Sequence, residues 1–355
     1  MASGKAIVIV GKGKVEIQEL PLPKLNPGYV LAKVRAVGLN PTDWKSIDNI
    51  EPERVGTRSG CDYVAEIIQL GPGLTKDCKK GDRIAGFAFG GSQKTPDNGA
   101  FGEYVAAKEH AFLKVPDNVS DEEAATFGVS VTTVGQGLYK TLKLPLPNAP
   151  VTTPFPVLIY GGSTATGLYG IKYAKASGLT VIATASPHNF ELVKAAGADH
   201  VFDYRSPTVG ADIRALTANK LKYAWDCTGF GGAISAAALS DNEEGGKPKF
   251  SAIIPVKREV FDELNPVVDG PHFTLGYDAF GDEYVRFGKA FTPDPGEVAF
   301  ARMFWALTQG LLESGKLKPL RPEVNRFGKG LEGVILGLDE LRNDRVSGTK
   351  LVYTL

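Results

Sequence analysis

Cysteine, histidine and methionine are scarce in this 355-residue chain, which holds three Cys, four His and two Met. Cys61, Cys78 and Cys227 are odd in number and far apart, which argues against a disulfide framework and for a reducing compartment. No apolar run reaches the ~20 residues of a membrane span. The N-terminal stretch lacks the apolar h-region and small-residue cleavage pattern of a secretory signal, so a cytoplasmic protein is the expectation. Neither sign of charge is in excess. Forty Lys plus Arg balance forty Asp plus Glu, leaving no basic field to draw nucleic acid or an anionic membrane.

What is present is ordinary globular material, 43% hydrophobic and 23% charged, in a chain long enough for two domains. The first third reads as strands over 6–10, 14–20, 29–38, 62–70, 83–89 and 102–107, punctuated by Gly, Pro and Asn turns. A compact antiparallel or barrel-like domain is expected there. Near Asp121 the period changes: Ser120 and Glu123 form a candidate capping box opening a helix over 121–140. A Pro-rich connector, LKLPLPNAPVTTPFP, follows.

From Val157 strands and helices alternate. Strands are expected at 157–160, 179–184, 200–203, 223–227, 250–255 and 271–277, with helices at 165–177, 188–196, 209–219 and 231–240 between the earlier ones. The tail carries amphipathic helices at 300–314 and 333–342 and a short strand at 350–354. The expected fold class is therefore α/β. A doubly wound parallel-sheet domain over 126–277 interrupts a mostly-β domain made of 1–125 and 278–355.

The stretch 157–189, VLIYGGSTATGLYGIKYAKASGLTVIATASPHN, has the order of elements a dinucleotide site needs. Gly162 and Gly167 fit the outer positions of GxGxxG, but Thr164 stands at the middle one. On its own the stretch reads equally as a nucleotide site or an ordinary βαβ turn. Ser163, Thr164, Ala165 and Thr166 occupy the turn, where hydroxyls and free N–H groups either cap the helix or meet a phosphate.

The phrases GLNPTDWK (38–45) and SGCDYVAEIIQLGPGLTKDCKKGDRIAG (59–86) resemble the medium-chain dehydrogenase/reductase superfamily. YGGSTATG, ATASPHNFELVKAAGADHVFDYR and AWDCTG are similar to fungal trans-acting enoyl reductases of polyketide biosynthesis, of the lovastatin-pathway type. The resemblance covers nearly the whole chain. It implies a GroES-like catalytic domain and a Rossmann domain, acting with NADPH on a thioester presented by a polyketide synthase carrier domain. It also implies a zinc-free member. Asn40–Asp43 stands where the zinc enzymes place a first Cys, Gly60–Asp62 stands where they place a His–Glu pair, and no Cys lies between Cys78 and Cys227. Cys61 then reads as a small buried residue.

On the cofactor side the resemblance points to Thr42, Asp43, Trp44 and Lys45, the turn residues above, Tyr204, and the Val346–Ser347 turn. The second strand of the nucleotide motif ends in Ser186, Pro187, His188 and Asn189, with no carboxylate to repel a 2′-phosphate; NADPH is expected over NADH. Arg205 reads either as a further phosphate partner or as a solvated surface residue. On the substrate side the helix start Gly128, Val129, Ser130, Val131, Thr132, Thr133, Val134 and Gly135 is implied. A second substrate edge is implied at Leu275, Gly276, Tyr277, Asp278 and Ala279.

Lys45 is the expected catalytic side chain, holding the nicotinamide ribose, donating toward an enolate or relaying a proton; the alternative is a plain surface lysine. The reaction implied is hydride transfer to the β-carbon of an unsaturated thioester, with charge developing on its carbonyl oxygen. Two other readings stay open, a stand-alone quinone or enone reductase and a non-catalytic nucleotide-binding protein. Pro255, within the segment 249–259 read as the sheet's edge, favours a monomer.

Overall fold

The computed structural model describes residues 2–286 and 288–355. The chain forms two compact units, one of residues up to Thr132 with Tyr277–Gly315 and Pro319–Leu355, the other of Thr133–Gly276 with Lys316–Lys318.

In the first unit a mixed sheet runs in the order Glu323–Val324, Leu351–Thr354, Tyr29–Gly38, Asp62–Leu70, Arg83–Phe87 and Phe112–Lys114. Strand Tyr104–Lys108 pairs with the early part of Tyr29–Gly38, whose late part takes Leu351–Thr354. Two register shifts in the pairing with Asp62–Leu70 let the central strand change neighbours. Its β-branched and small residues, Val30, Ala32, Val34 and Val37, are buried in a core shared with Tyr63, Phe101, Phe112 and Tyr353. A hairpin of Ser3–Gly11 and Lys14–Pro21 adds Ile7 and Ile9 to that core.

The second unit is a six-stranded parallel sheet ordered His200–Asp203, Thr180–Ala185, Pro156–Tyr160, Tyr223–Asp226, Lys249–Ala252 and Asp269–Phe273. The winding reverses at Pro156–Tyr160, so the carboxyl ends of Pro156–Tyr160 and Tyr223–Asp226 flank the switch point where such sheets take ligands. Asp226 is fully buried there and accepts from the backbone N–H groups of Thr228, Gly229 and Gly231 at 2.8, 2.9 and 2.7 Å, which shapes the loop over that end.

Several expectations are corrected. The helix expected over 121–140 is three pieces: Asp121–Ala124, Gly128–Val134 and a wide π-type turn, Gly135–Thr141. The break frees the N–H of Val129, which donates to Asp62 at 2.7 Å. The capping box itself is present: Ser120 N–H donates to Glu123 at 3.1 Å and Glu123 N–H to Ser120 at 3.2 Å. No helix is expected around GLNPTDWK, yet Pro41–Asp48 is helical. Strand Lys249–Ala252 is interior rather than an edge; the edge strands are His200–Asp203 and Asp269–Phe273, the second of which contains Pro271.

Candidate active site

Helix Pro41–Asp48 starts with proline in its first turn, and Asp43 caps it by accepting from the Asn40 N–H at 2.7 Å. Asp43 therefore points back into the protein, while Lys45 stays exposed with its ammonium 5.6 Å from the Trp44 ring centroid. Thr42 Oγ1 lies 2.7 Å from the Tyr277 hydroxyl, so one hydrogen bond joins this helix to the turn Gly276–Phe280.

Beneath the helix is a buried charge network. Lys350 Nζ, on a side chain 1% exposed, lies 2.7 Å from Asp62 Oδ2 and donates to Asn40 Oδ1 at 2.7 Å. Asp62 also accepts from Val129 N–H, and a side chain at Gly128 would overlap its Oδ1. Asp43 is pushed up to about 7, by burial first and then by the Asp62 charge; Cys61, the Asn40 N–H and Lys350 oppose the shift. Burial, with Asp43 and Asp62 nearby, holds the Cys61 thiol well above its ordinary value, so it stays protonated and inert.

Tyr277 is 6% exposed and stacked on Phe89, with ring centroids 4.3 Å apart at 24°. Phe87, Phe280 and Tyr284 extend this aromatic group, and Tyr284 donates to Asp278 at 2.6 Å. Burial pushes the Tyr277 hydroxyl up to about 12. The group is a buried apolar cluster whose Tyr277 hydroxyl is bonded to Thr42.

In the second unit the glycine turn precedes helix Ala165–Ala176. Thr164 is the cap: its hydroxyl accepts from the Gly167 N–H at 2.9 Å and donates to the Gly161 carbonyl at 2.9 Å. Ser163 and Thr166 flank it, half-buried. A Cβ at Gly167 would run into the Gly161 carbonyl, so the helix start sits hard against the turn. Ser186 donates to Tyr204 at 3.3 Å, and Tyr204 meets Tyr160 edge-on at 6.2 Å. These contacts draw the ends of three neighbouring strands into one surface. Arg205 instead pairs with Asp203 at 3.0 Å, and Lys194 with Glu191 at 3.0 Å, as surface residues do.

The expected residues therefore fall into two groups. Thr42, Asp43, Trp44, Lys45, Gly128–Thr132, Tyr277, Asp278, Ala279, Val346 and Ser347 belong to the first unit. Thr133, Val134, Gly135, Ser163–Thr166, Ser186–Asn189, Tyr204, Leu275 and Gly276 belong to the second. Trp44 and Val346 pack against the first unit's core. Sequence reasoning missed the roles of Asp62 and Lys350; the signal available was a GCD triplet and a lone Lys before the last strand, neither distinctive. His110 is buried and, through burial and the nearby Lys108 and Arg302, pulled down to about 4, a neutral structural histidine. Among the described residues no group of three or more His, Cys, Asp or Glu is placed to hold a metal, and no helix is long and apolar enough to cross a membrane.

Two family models match: alcohol dehydrogenase GroES-like domain over residues 26–117 and zinc-binding dehydrogenase over 165–263. The fold agrees with solved structures. CurK enoyl reductase superposes with a TM-score of 0.76 at 19% identity, covering 99% of each chain. The quinone oxidoreductase from Coxiella burnetii gives 0.72 at 21%, covering 100% of each. Fold and site together define a medium-chain dehydrogenase/reductase, a GroES-like domain with a Rossmann domain. Trans-enoyl reductase ACTTS2 of Alternaria alternata is 41% identical over 355 residues, covering 100% of both chains. Trans-enoyl reductase resD of Aspergillus sclerotiorum is 37% identical, covering 98% of this chain and 99% of its own. The chain belongs to the trans-enoyl reductase family.

Proposed function

We propose that the protein reduces the α,β double bond of an unsaturated polyketide thioester delivered on the carrier domain of a separate synthase, with NADPH as reductant. The observation that carries this reading is the Thr42–Tyr277 hydrogen bond, which fixes the helix bearing Lys45 to the aromatic surface that would hold a conjugated chain. NADPH, when bound, supplies the hydride that adds to the β-carbon. Tyr277 and Phe89 keep the acyl group flat, and Lys45 serves the carbonyl end, where the displaced electron pair collects as an enolate before the α-carbon is protonated.

The close approach at Gly167 and the hydroxyls of Ser163 and Thr166 fit the pyrophosphate, and the polar end of strand Thr180–Ala185 fits a 2′-phosphate. We assign the unit Thr133–Gly276 to the cofactor, and the unit of residues up to Thr132 with Tyr277–Gly315 and Pro319–Leu355 to the substrate. Pro271, lacking an N–H on the outer strand, supports a monomer, and three free cysteines support a cytoplasmic setting.

The test is NADPH oxidation with an α,β-unsaturated acyl-pantetheine and with a small quinone. Turnover of the thioester to a product saturated at that bond, reduced at least tenfold in Lys45→Ala, is the expected outcome. Turnover of the quinone alone overturns the reading.

A further inference from the structure

The first unit contains a buried cation that no group in the reading above uses. Arg286 ends strand Tyr284–Arg286, is 7% exposed, and sets its guanidinium 4.5 Å from the Tyr277 ring centroid and 5.8 Å from that of Phe89. Its Nη2 is buried without a hydrogen-bond partner, and among the described residues no carboxylate forms an ion pair with it. Arg54, 4% exposed, donates from Nε to the Gly91 carbonyl at 2.5 Å and from Nη1 to Glu51 at 2.8 Å, yet its Nη2 is equally unpartnered. Gly91 lets it come close, since a Cβ there would stand 2.6 Å from that Nη2. Burial and then the Arg286 charge hold Arg54 below its ordinary pKa, so the two cations feel each other.

Two buried guanidinium groups thus share one paired carboxylate. Such an uncompensated charge is costly in an apolar setting and is relieved by an anion. The setting selects the kind of anion. Stacked aromatic rings take a planar conjugated group rather than a hydrated phosphate, and the flat fork of an arginine suits an oxygen at the end of such a plane.

We propose that Arg286, backed by Arg54, forms an oxyanion-binding subsite for the carbonyl oxygen of a conjugated acyl group lying on Tyr277 and Phe89. This rests on the enoyl-reductase reading for the origin of the charge: the electron pair displaced from the double bond arrives on that oxygen.

The experiment uses acetoacetyl-N-acetylcysteamine, a β-ketothioester that ionises to a planar enolate, titrated into the full-length protein without reductant and followed by the ultraviolet band of the enolate. Wild-type protein is expected to raise the enolate fraction at fixed pH about tenfold, Arg286→Lys partly and Arg286→Met not at all. Arg286→Met should also lose about 10²-fold in kcat/KM on the enoyl thioester, mostly in kcat. Thermal melting of both variants checks that they fold. No rise with wild-type protein, or an equal rise with Arg286→Met, overturns the subsite. An enolate signal without turnover of any enoyl thioester keeps the subsite and removes the enoyl-reductase reading; turnover without the signal does the reverse.

Discussion

Lys350 and Asp62 form an ion pair of 2.7 Å between side chains that are 1% and 0% exposed. Charges this deep are tolerated only because each has further partners: Asn40 for the ammonium, Val129 N–H for the carboxylate. Lys350→Met should therefore leave Asp62 uncompensated and cost about 3–5 kcal/mol. Adding Asp62→Leu to it should recover part of the loss. Urea unfolding of the two variants decides the matter; a single-variant cost below about 1 kcal/mol would mean the pair contributes no more than a surface one.

Asp43 gives the protein a pH dependence of unusual sign. Its folded value of about 7 exceeds the unfolded 3.8. Between those values the folded chain keeps a proton that the unfolded chain has released, so stability falls as pH rises through the window and levels off above it. Asp43→Asn should flatten that slope. Denaturant midpoints on either side of the window test it, and an unchanged slope in the Asp43→Asn variant would assign the effect to another group.

Gly167→Ala places a methyl against a backbone carbonyl, which cannot swing aside as a side chain would. The turn has to open, and NADPH affinity should weaken about tenfold or more, close to 1.4 kcal/mol. Fluorescence titration of NADPH against wild-type and variant protein measures this. Equal affinities would show that the turn does not contact the cofactor.

Ser186→Asp puts a carboxylate at the end of strand Thr180–Ala185. A charge there repels a 2′-phosphate and accepts from ribose hydroxyls, so the NADPH to NADH ratio of kcat/KM should drop about 10²-fold, or about 2.8 kcal/mol. A ratio that does not move would place the phosphate elsewhere, with His188 and Asn189 the next positions to exchange.

Strands Tyr29–Gly38, Asp62–Leu70 and His200–Asp203 are legible in the sequence to the residue, the first two because they are mostly apolar and β-branched between turn-forming residues, the third because its Val–Phe pair lies between two polar turns. Helix Pro41–Asp48 was hidden although its signals were present: Asn at the cap, Pro after it and Asp three residues on. Its two short turns have no apolar stripe long enough to announce it. The break after Ala124 is illegible for a different reason, since it answers to Asp62, far away in sequence. The turn before helix Ala165–Ala176 stands out through its glycines. Arg54 and Arg286 do not stand out, because an arginine's burial depends on tertiary packing that no local pattern records.

The Asn40–Lys350 contact spans 310 positions, and the whole of Thr133–Gly276 lies between its partners. During synthesis the parallel-sheet unit is thus almost complete, as an unbroken segment, well before Lys350 is made. Asp62 meanwhile waits in a half-built mixed sheet without its counter-ion, a strand short at Leu351–Thr354. Translation order therefore makes one unit nearly whole early and keeps the other provisional until its last strand arrives.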